Sequence, residues 1–399
     1  MIDTPIYTKP IGGEDGKNLP RVITMSGGSS SALMMFSMLE SGQLDARRGD
    51  CVVFNNTSAE HPATYRFIAE CKRESEQYGI PFFMIEFCTY EGRKNKRGEY
   101  IRKRSYKLVN ERPYNADTNP HGYRWRGERF EEMLSFVRFC PNRSNRVCTW
   151  ELKSGVSKRF VKDYLRDKRP EGICSQGTGA PNMIDLDLMY RRFLKNGGKM
   201  PEEIYKEKSK YVLGCDKVRP AQAWSDYSKH VPRIRKCSDD THALAIGFRR
   251  DEPRRVLRWE DRICNEPDRF KGMVPFFPLY DLGATKEYVA DFWSRQKFRL
   301  SIPQHVGNCV FCFLKGAKNL ESVRDFKREI HKDTPSDVQW WIDMENKYTR
   351  DLVAEGIKIT KHKKFGFFNH GSYSYELLRG GTRPNDKALK QITSCDCTD

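Results

Sequence analysis

Residues Val22 to Phe36 read VITMSGGSSSALMMF. An apolar run ends at Met25, a Ser-Gly-Gly-Ser-Ser-Ser cluster follows, and Leu33, Phe36, Met38 and Leu39 recur with helical spacing before Gly42. The pattern predicts a buried strand over Arg21–Met25, a glycine-rich turn, and a helix over Ala32–Leu39. A strand that feeds a helix N-terminus through such a turn is an anion site, because unpaired amides and the helix dipole act on the same point. Gly27 and Gly28 let the backbone approach a ligand closely, and the hydroxyls of Ser26, Ser29, Ser30 and Ser31 add donors. No Gly-Lys-Ser/Thr follows, so this is not a Walker A loop, and the GxGxxG dinucleotide fingerprint is absent. A serine-rich helix cap is the simpler alternative, but two glycines and four serines exceed what a cap needs.

Outward from the loop, strands and helices alternate. CVVFNN (Cys51–Asn56) and PFFMIEF (Pro81–Phe87) read as buried strands. Between them lies a helix with Pro62 near its start and Gly79 at its end. This alternation predicts an α/β fold with a parallel, doubly wound sheet. From about 89 to 146 it gives way to a basic, aromatic, turn-rich stretch that reads as an insertion over the sheet. Thr149–Leu165 is helical again, with Val156, Phe160 and Tyr164 four residues apart. A second insertion is expected over about 175–240, then a strand over Thr241–Phe248, a helix over Lys286–Gln296 and a long helix over Ser336–Glu355. The expected organisation is an N-terminal arm (1–20), a nucleotide-binding domain (21–330) and a helical, basic extension (331–399).

Lysine and arginine number 71 against 53 acidic residues, a net charge of +18, and the excess is clustered in runs such as Gly92–Lys107 and Arg249–Arg255. That distribution fits a polyanionic partner such as DNA or tRNA, against the plainer reading of a solvated basic surface. The stretch EYIRKRSYKLVNERPYNADTNPHGYRWRGERF interleaves cations with Tyr and Trp, which suits phosphate contact and base stacking. There is no apolar run of membrane-spanning length and no apolar leader at the N-terminus. The expectation is a cytoplasmic protein with no membrane partner. In a reducing compartment its 13 cysteines point to metal or redox chemistry rather than disulfides.

SGGSSSA resembles the pyrophosphate loop, usually SGGxDS, of the N-type ATP pyrophosphatases (the PP-loop superfamily) and of the phosphoadenosine phosphosulfate (PAPS) reductase family. Four further segments follow in that family's order. They are FNNTSAEHPATYRFI, VCTWELK, IGFRRDEPRRV, and FFPLYDLGATKEYVADFW with GNCVFCF, so the resemblance spans about 21–315. It is similar in kind to phage and bacterial PAPS reductase-like proteins and to the pyrophosphatase of DNA phosphorothioation. The chain departs from the family in having Ser30 where the pyrophosphatases usually carry Asp, and in lacking the reductases' Glu-Cys-Gly-x-His segment.

The resemblance implies a HUP-type sheet, as in the adenine nucleotide alpha hydrolases. It implies ATP or a PAPS-like nucleotide bound by Ser26–Ser31, Asn56, Thr57, Glu60 and Gly247, with Mg²⁺ as a further candidate ion. His61, at the start of the second helix, reads equally well as a helix cap. Arg249 and Arg250 would stabilise charge on the reacting phosphate. Cys309 and Cys312 are spaced C-x-x-C, which allows two thiolates on one centre. Cys148 stands where iron–sulfur members supply a ligand or reacting sulfur. A [4Fe–4S] cluster on Cys148, Cys309 and Cys312, with Cys264, Cys140 or no fourth ligand, is one reading. Structural zinc and a metal-independent dithiol are the others.

Three activities remain open at this point. One is adenylating activation coupled to sulfur transfer onto nucleic acid, with a cysteine desulfurase or another protein donating sulfur or electrons. The second is a sulfonucleotide reductase that releases sulfite. The third is a nucleotide-binding regulator without chemistry.

Overall fold

The computed structural model describes residues 19–98, 100–165, 241–266, 271–356, 364–368 and 373–381. Its core is a seven-stranded sheet in the order β5-β4-β3-β2-β1-β6-β7. The strands are β1 (Arg21–Met25), β2 (Cys51–Asn56), β3 (Phe82–Lys94), β4 (Tyr100–Pro113), β5 (Gly122–Tyr123), β6 (His242–Ala245) and β7 (Met273–Phe276). All neighbours run parallel except β3 and β4, which form an antiparallel hairpin.

The strands sort their side chains with period two. Ile23, Val52, Phe54, Phe82 and Met84 face one layer with α1 (Ser29–Glu40), α2 (Pro62–Gln77) and α6 (Lys286–Ser294). Val22, Cys51, Val53, Phe83 and Ile85 face the other, with α3 (Glu128–Val137), α4 (Gly155–Leu165) and α5 (Pro253–Asn265). The expected doubly wound α/β architecture is therefore present. The second layer continues into α7 (Ala317–Asp325), α8 (Val338–Tyr348) and α9 (Tyr375–Arg379), which close around Trp341, fully buried.

Two expectations need correction. The stretch after Cys88 is not laid over the sheet; it extends it. β3 continues to Lys94 and turns back as β4, because Tyr106, Leu108 and Val109 of the basic run bury against the core. The helix expected over Ser336–Glu355 stops at Tyr348, where Thr349 becomes extended and the chain pairs Arg350–Asp351 with Lys364–Phe365. The insertion expected over 175–240, the arm before Leu19 and the C-terminal Cys395 and Cys397 lie outside the described residues. Among the described residues no helix is long and apolar enough to cross a membrane.

α8 and α9 are joined through Glu345, whose Oε2 accepts the Tyr375 amide at 2.8 Å. Burial pushes this carboxyl up to about 7, against the opposing pull of that bond. A carboxyl that binds its proton more tightly when folded contributes stability below its unfolded value, and loses it as pH rises through the folded one. Wild-type stability should therefore fall between pH 4.5 and about 7. Glu345→Gln, which mimics the protonated form, should abolish that slope and be the more stable protein at pH 8, by at most about 3 kcal/mol. Urea denaturation across this range checks it.

Candidate functional site

The loop between β1 and α1 takes its shape from one glycine. Gly27 has φ +80°, and a Cβ there would lie 2.7 Å from Thr64 Cγ2 on α2. Gly28 begins α1 without a side-chain cap, so the first-turn amides are left for a ligand. Ser31 braces the turn from inside. Its hydroxyl donates to the Gly28 carbonyl at 3.0 Å, accepts the Ser26 amide at 3.2 Å and lies 3.1 Å from Ser26 Oγ. Trp293 of α6 fixes the outside, its indole N–H donating to the Ser29 carbonyl at 2.9 Å.

β6 delivers the second wall. Gly247 passes so close to the loop that a Cβ would sit 3.2 Å from Ser31 Cα. Two residues on, the buried Arg249 turns its guanidinium to the loop, and Nη1 donates to Ser30 Oγ at 3.3 Å. Its Nε and Nη2 donate to the Asp251 carboxylate at 2.9 and 3.1 Å, while Glu252 accepts its amide at 3.1 Å. Burial alone would raise Asp251, but the bond from Arg249 and its charge hold the carboxyl below its ordinary range. The guanidinium is thus held in place and aimed at the loop. Arg250 diverges; it is exposed, with its guanidinium 4.6 Å over the Tyr280 ring.

Beside the loop, on the α4/α5 face, opens a cleft of about 1080 Å³ including space open to solvent. Its floor is apolar, with Val22, Leu244, Ile246 and Trp259, and its rim carries Ser26, Lys153, Lys158 and Arg262. Apolar walls with a few convergent polar groups suit a flat heterocycle bearing an anionic tail.

A second, smaller cavity of about 340 Å³, again including space open to solvent, lies next to the cleft, and Cys148, Cys309 and Cys312 all line it. The C-x-x-C pair and a cysteine far from it in sequence are brought together here. The C-x-x-C loop is stitched to the segment after β2, with Val310 donating to the Ala59 carbonyl at 2.9 Å and Glu60 bridging Cys309. Cys148 enters from the short helical turn Val147–Thr149, followed by a π-helical turn over Trp150–Ser154. Such turns recur at functional sites. Neither Cys264 nor Cys140 lines this cavity. Cys264 is exposed on α5, and Cys140 is buried with its Sγ 3.9 Å from the Met344 carbonyl. Among the described residues no three His, Cys, Asp or Glu side chains gather tightly enough to ligate a single ion.

Asn56, Thr57 and Glu60, expected at the nucleotide, are buried, Thr57 and Glu60 beside the cysteine loop and Asn56 among Glu86, Tyr65 and the Arg124 carbonyl. Asn56 Nδ2 donates to Glu86 at 2.7 Å and to the Arg124 carbonyl at 2.6 Å. Thr57 Oγ1 donates to Glu60 at 2.7 Å and lies 3.4 Å from Cys309 Sγ. His61 caps α2. Its Nδ1 accepts the Ala63 amide at 3.1 Å and Nε2 lies 3.0 Å from the Arg328 carbonyl, a pairing that requires the neutral ring protonated on Nε2. Burial lowers its pKa accordingly.

Sequence reasoning passed over Thr149 and Lys153, although both lie in the quoted VCTWELK. They line the cleft and the cysteine cavity alike. It also misplaced the basic run. Arg102 is buried and donates to Thr89 and Ser135 hydroxyls at 2.9 Å each, and Arg104 pairs with Glu151. Lys94, Lys96, Arg97, Arg104 and Arg112 reach the surface along the β3–β4 hairpin, and a further group follows β5. Arg126 is exposed beside Trp125, which meets His331 edge-on at 5.3 Å, and Arg124 stacks 3.1 Å over Tyr114.

The chain is similar to the "Uncharacterized nin region protein ORF290" of Escherichia phage lambda, with 27% identity over 136 residues. The match spans 29% of this chain and 42% of that protein, less than half of either. No family model matches the chain. No solved structure matches it.

The two glycines should separate in mutagenesis. Gly27→Ala combines a left-handed φ with the Thr64 contact and should cost at least about 1 kcal/mol while deforming the loop. A Cβ on Gly28 meets only Ser26 Oγ, at 3.5 Å, so Gly28→Val should melt close to wild type yet lose anion binding. Calorimetric titration with ATP beside thermal melts tests both. Equal ATP binding by Gly28→Val and wild type would remove the loop from the site.

Proposed function

We propose that this chain is a nucleotide-activating enzyme of the PAPS reductase/PP-loop superfamily, with a HUP-type sheet. In this reading it adenylates a nucleic-acid target with ATP and passes sulfur to the activated position. The observation that carries it is the shared wall: Thr149 and Lys153 border both the cleft beside the phosphate loop and the cavity of Cys148, Cys309 and Cys312. A nucleotide in the cleft and a sulfur centre in the cavity would lie within reach of one another.

The chemistry follows from that placement. An oxygen of the target attacks the α-phosphorus, and pyrophosphate leaves with the bonding electron pair. Sulfur then attacks the activated atom, and AMP leaves. Negative charge develops on the phosphate oxygens in the first step, where the α1 amides, Ser30 and Arg249 stand. With Ser30 in place of an acid, the loop contributes no carboxylate for Mg²⁺, so the ion would be held chiefly by the phosphates.

Cys148, Cys309 and Cys312 would hold the sulfur centre. A single zinc draws its ligands to about 2.3 Å of one point. A [4Fe–4S] cluster would spread them over several irons, and three cysteines lining one cavity offer thiolates for it. When bound, it would supply sulfur or electrons, received from a cysteine desulfurase or another donor. The target, DNA or tRNA, would lie along the Arg124–Arg126 surface beside the ends of β2 and β3.

Anaerobically purified protein should release pyrophosphate from ATP when nucleic acid is added. Arg249→Ala should lower that rate by about 10²-fold or more. Sulfite from a sulfonucleotide, with no pyrophosphate, would indicate the reductase instead; neither product would indicate a regulator. Nucleic-acid affinity should fall steeply with salt, and Arg126→Ser should reduce the slope of log K against log salt by about 1. Trp125→Ala should weaken single-stranded binding by about 1–3 kcal/mol. An unchanged salt slope and unchanged affinity in both variants would remove this surface from the reading.

A further inference from the structure

The C-x-x-C loop is tied from within by a buried lysine. Lys315 follows Cys312 by three residues, is 4% exposed, and its ammonium donates to the Val310 carbonyl at 2.7 Å and the Gly307 carbonyl at 3.1 Å. Those carbonyls lie on either side of Cys309, so one cation closes the chain around that cysteine. The backbone continues the winding, with Cys312 N–H on the Cys309 carbonyl at 3.2 Å and Lys315 N–H on the Cys312 carbonyl at 2.9 Å. From outside, the Tyr375 hydroxyl of α9 donates to the Phe311 carbonyl.

A buried ammonium is costly unless negative charge or strong acceptors surround it. Here two carbonyl dipoles accept it. The charge is felt nearby: the His305 imidazole is held low by its burial and then by Lys315. Cys148, Cys309 and Cys312 line the adjoining cavity together with one cation, Lys153. Thiolates crowded together repel, and fixed positive charge beside them counters the repulsion.

We propose that Lys315 is a positioning residue of the cysteine cavity, which fixes the spacing of Cys309 and Cys312 and counters the negative charge of a thiolate-ligated iron–sulfur centre. The proposal rests on reading the cavity as the seat of such a centre and is independent of what the cleft binds.

Wild type, Lys315→Met, Lys315→Gln and Cys309→Ser are purified anaerobically and reconstituted with ferrous iron and sulfide. Bound iron, its rate of loss to a chelator, and amide exchange over residues 307–315 are measured. Wild type should hold iron and Cys309→Ser should lose it. Lys315→Met should lose iron about tenfold faster or more, the range of outer-shell substitutions at metal sites, and its loop amides should exchange faster. Lys315→Gln keeps a donor for the carbonyls without the charge; near-normal exchange with faster iron loss would separate charge from tether and sustain both roles. Wild-type iron retention in Lys315→Met overturns the proposal. Where Lys315→Met does not fold, Lys315→Gln decides: faster loss sustains the proposal and wild-type retention overturns it. A wild-type protein that takes up no iron through Cys309 also overturns it, and leaves the ATP titration of the loop glycines standing.

Discussion

Strand β1 is hydrogen-bonded in parallel on both edges, to β2 and to β6, and this double pairing fixes the position of everything around it. The chain leaves β1 toward β2 and β3, then returns to its other side as β6 and β7. The connections therefore part at the carboxyl end of β1, where an open α/β sheet has its crevice. The Ser26–Ser31 loop can stand nowhere else, since it is the direct continuation of β1. Gly247 and Arg249 arrive at the same place because they continue β6. The contact of Gly247 with Ser31 shows how tightly the two exits are pressed together, with less than 3.5 Å between a Cβ on one and the backbone of the other.

The helical run from Val147 through α4 acts as a partition. Thr149 and Lys153 are four residues apart, so they stack on one face of the run. That face borders both hollow spaces, the cleft toward β1 and β6 and the cysteine cavity toward the C-x-x-C loop. The π-helical turn at Trp150–Ser154 is held by packing: Gly155 has no Cβ, and one would lie 2.7 Å from the Trp150 carbonyl. Glycine at this position is what allows the wider turn to join α4 directly.

Strands β1, β2, β6 and the start of β3 were legible because their apolar runs are continuous and each ends at a turn signal, whereas the short β5 and β7 were not. The β3–β4 hairpin was not, because cations dominate the β4 composition. Arg102 lies inward, where two hydroxyls accept it, whereas composition alone assigns an arginine to water. The chemistry-bearing loop was legible for a local reason: strand, glycines, serines and helix are contiguous. That Cys148 stands near Cys309 and Cys312 came from the order of family-like segments and from no spacing rule. Lys153 and Lys315 were hidden because a lysine is informative only once its surroundings are known. The diverging paths of Arg249 and Arg250 were likewise invisible, since adjacent residues in a turn point apart.

The placement of Asn56, Thr57 and Glu60 gives the two neighbouring strands different duties. β1 extends into Ser26 and the loop that opens on the cleft. β2 presents Asn55 to the cleft and then extends into the segment that braces the cysteine side, Thr57 by contact with Cys309 Sγ and Ala59 by its bond to Val310. Adjacent strands lie about 4.8 Å apart. The Ser26–Ser31 loop and the footing of the cysteine loop are thus separated at their roots by a single strand spacing, on a sheet whose hydrogen bonds do not stretch. A nucleotide seated on β1 and a sulfur centre seated beyond β2 would be held in register by the sheet itself. The partition helix would then have only to keep water and reactants apart.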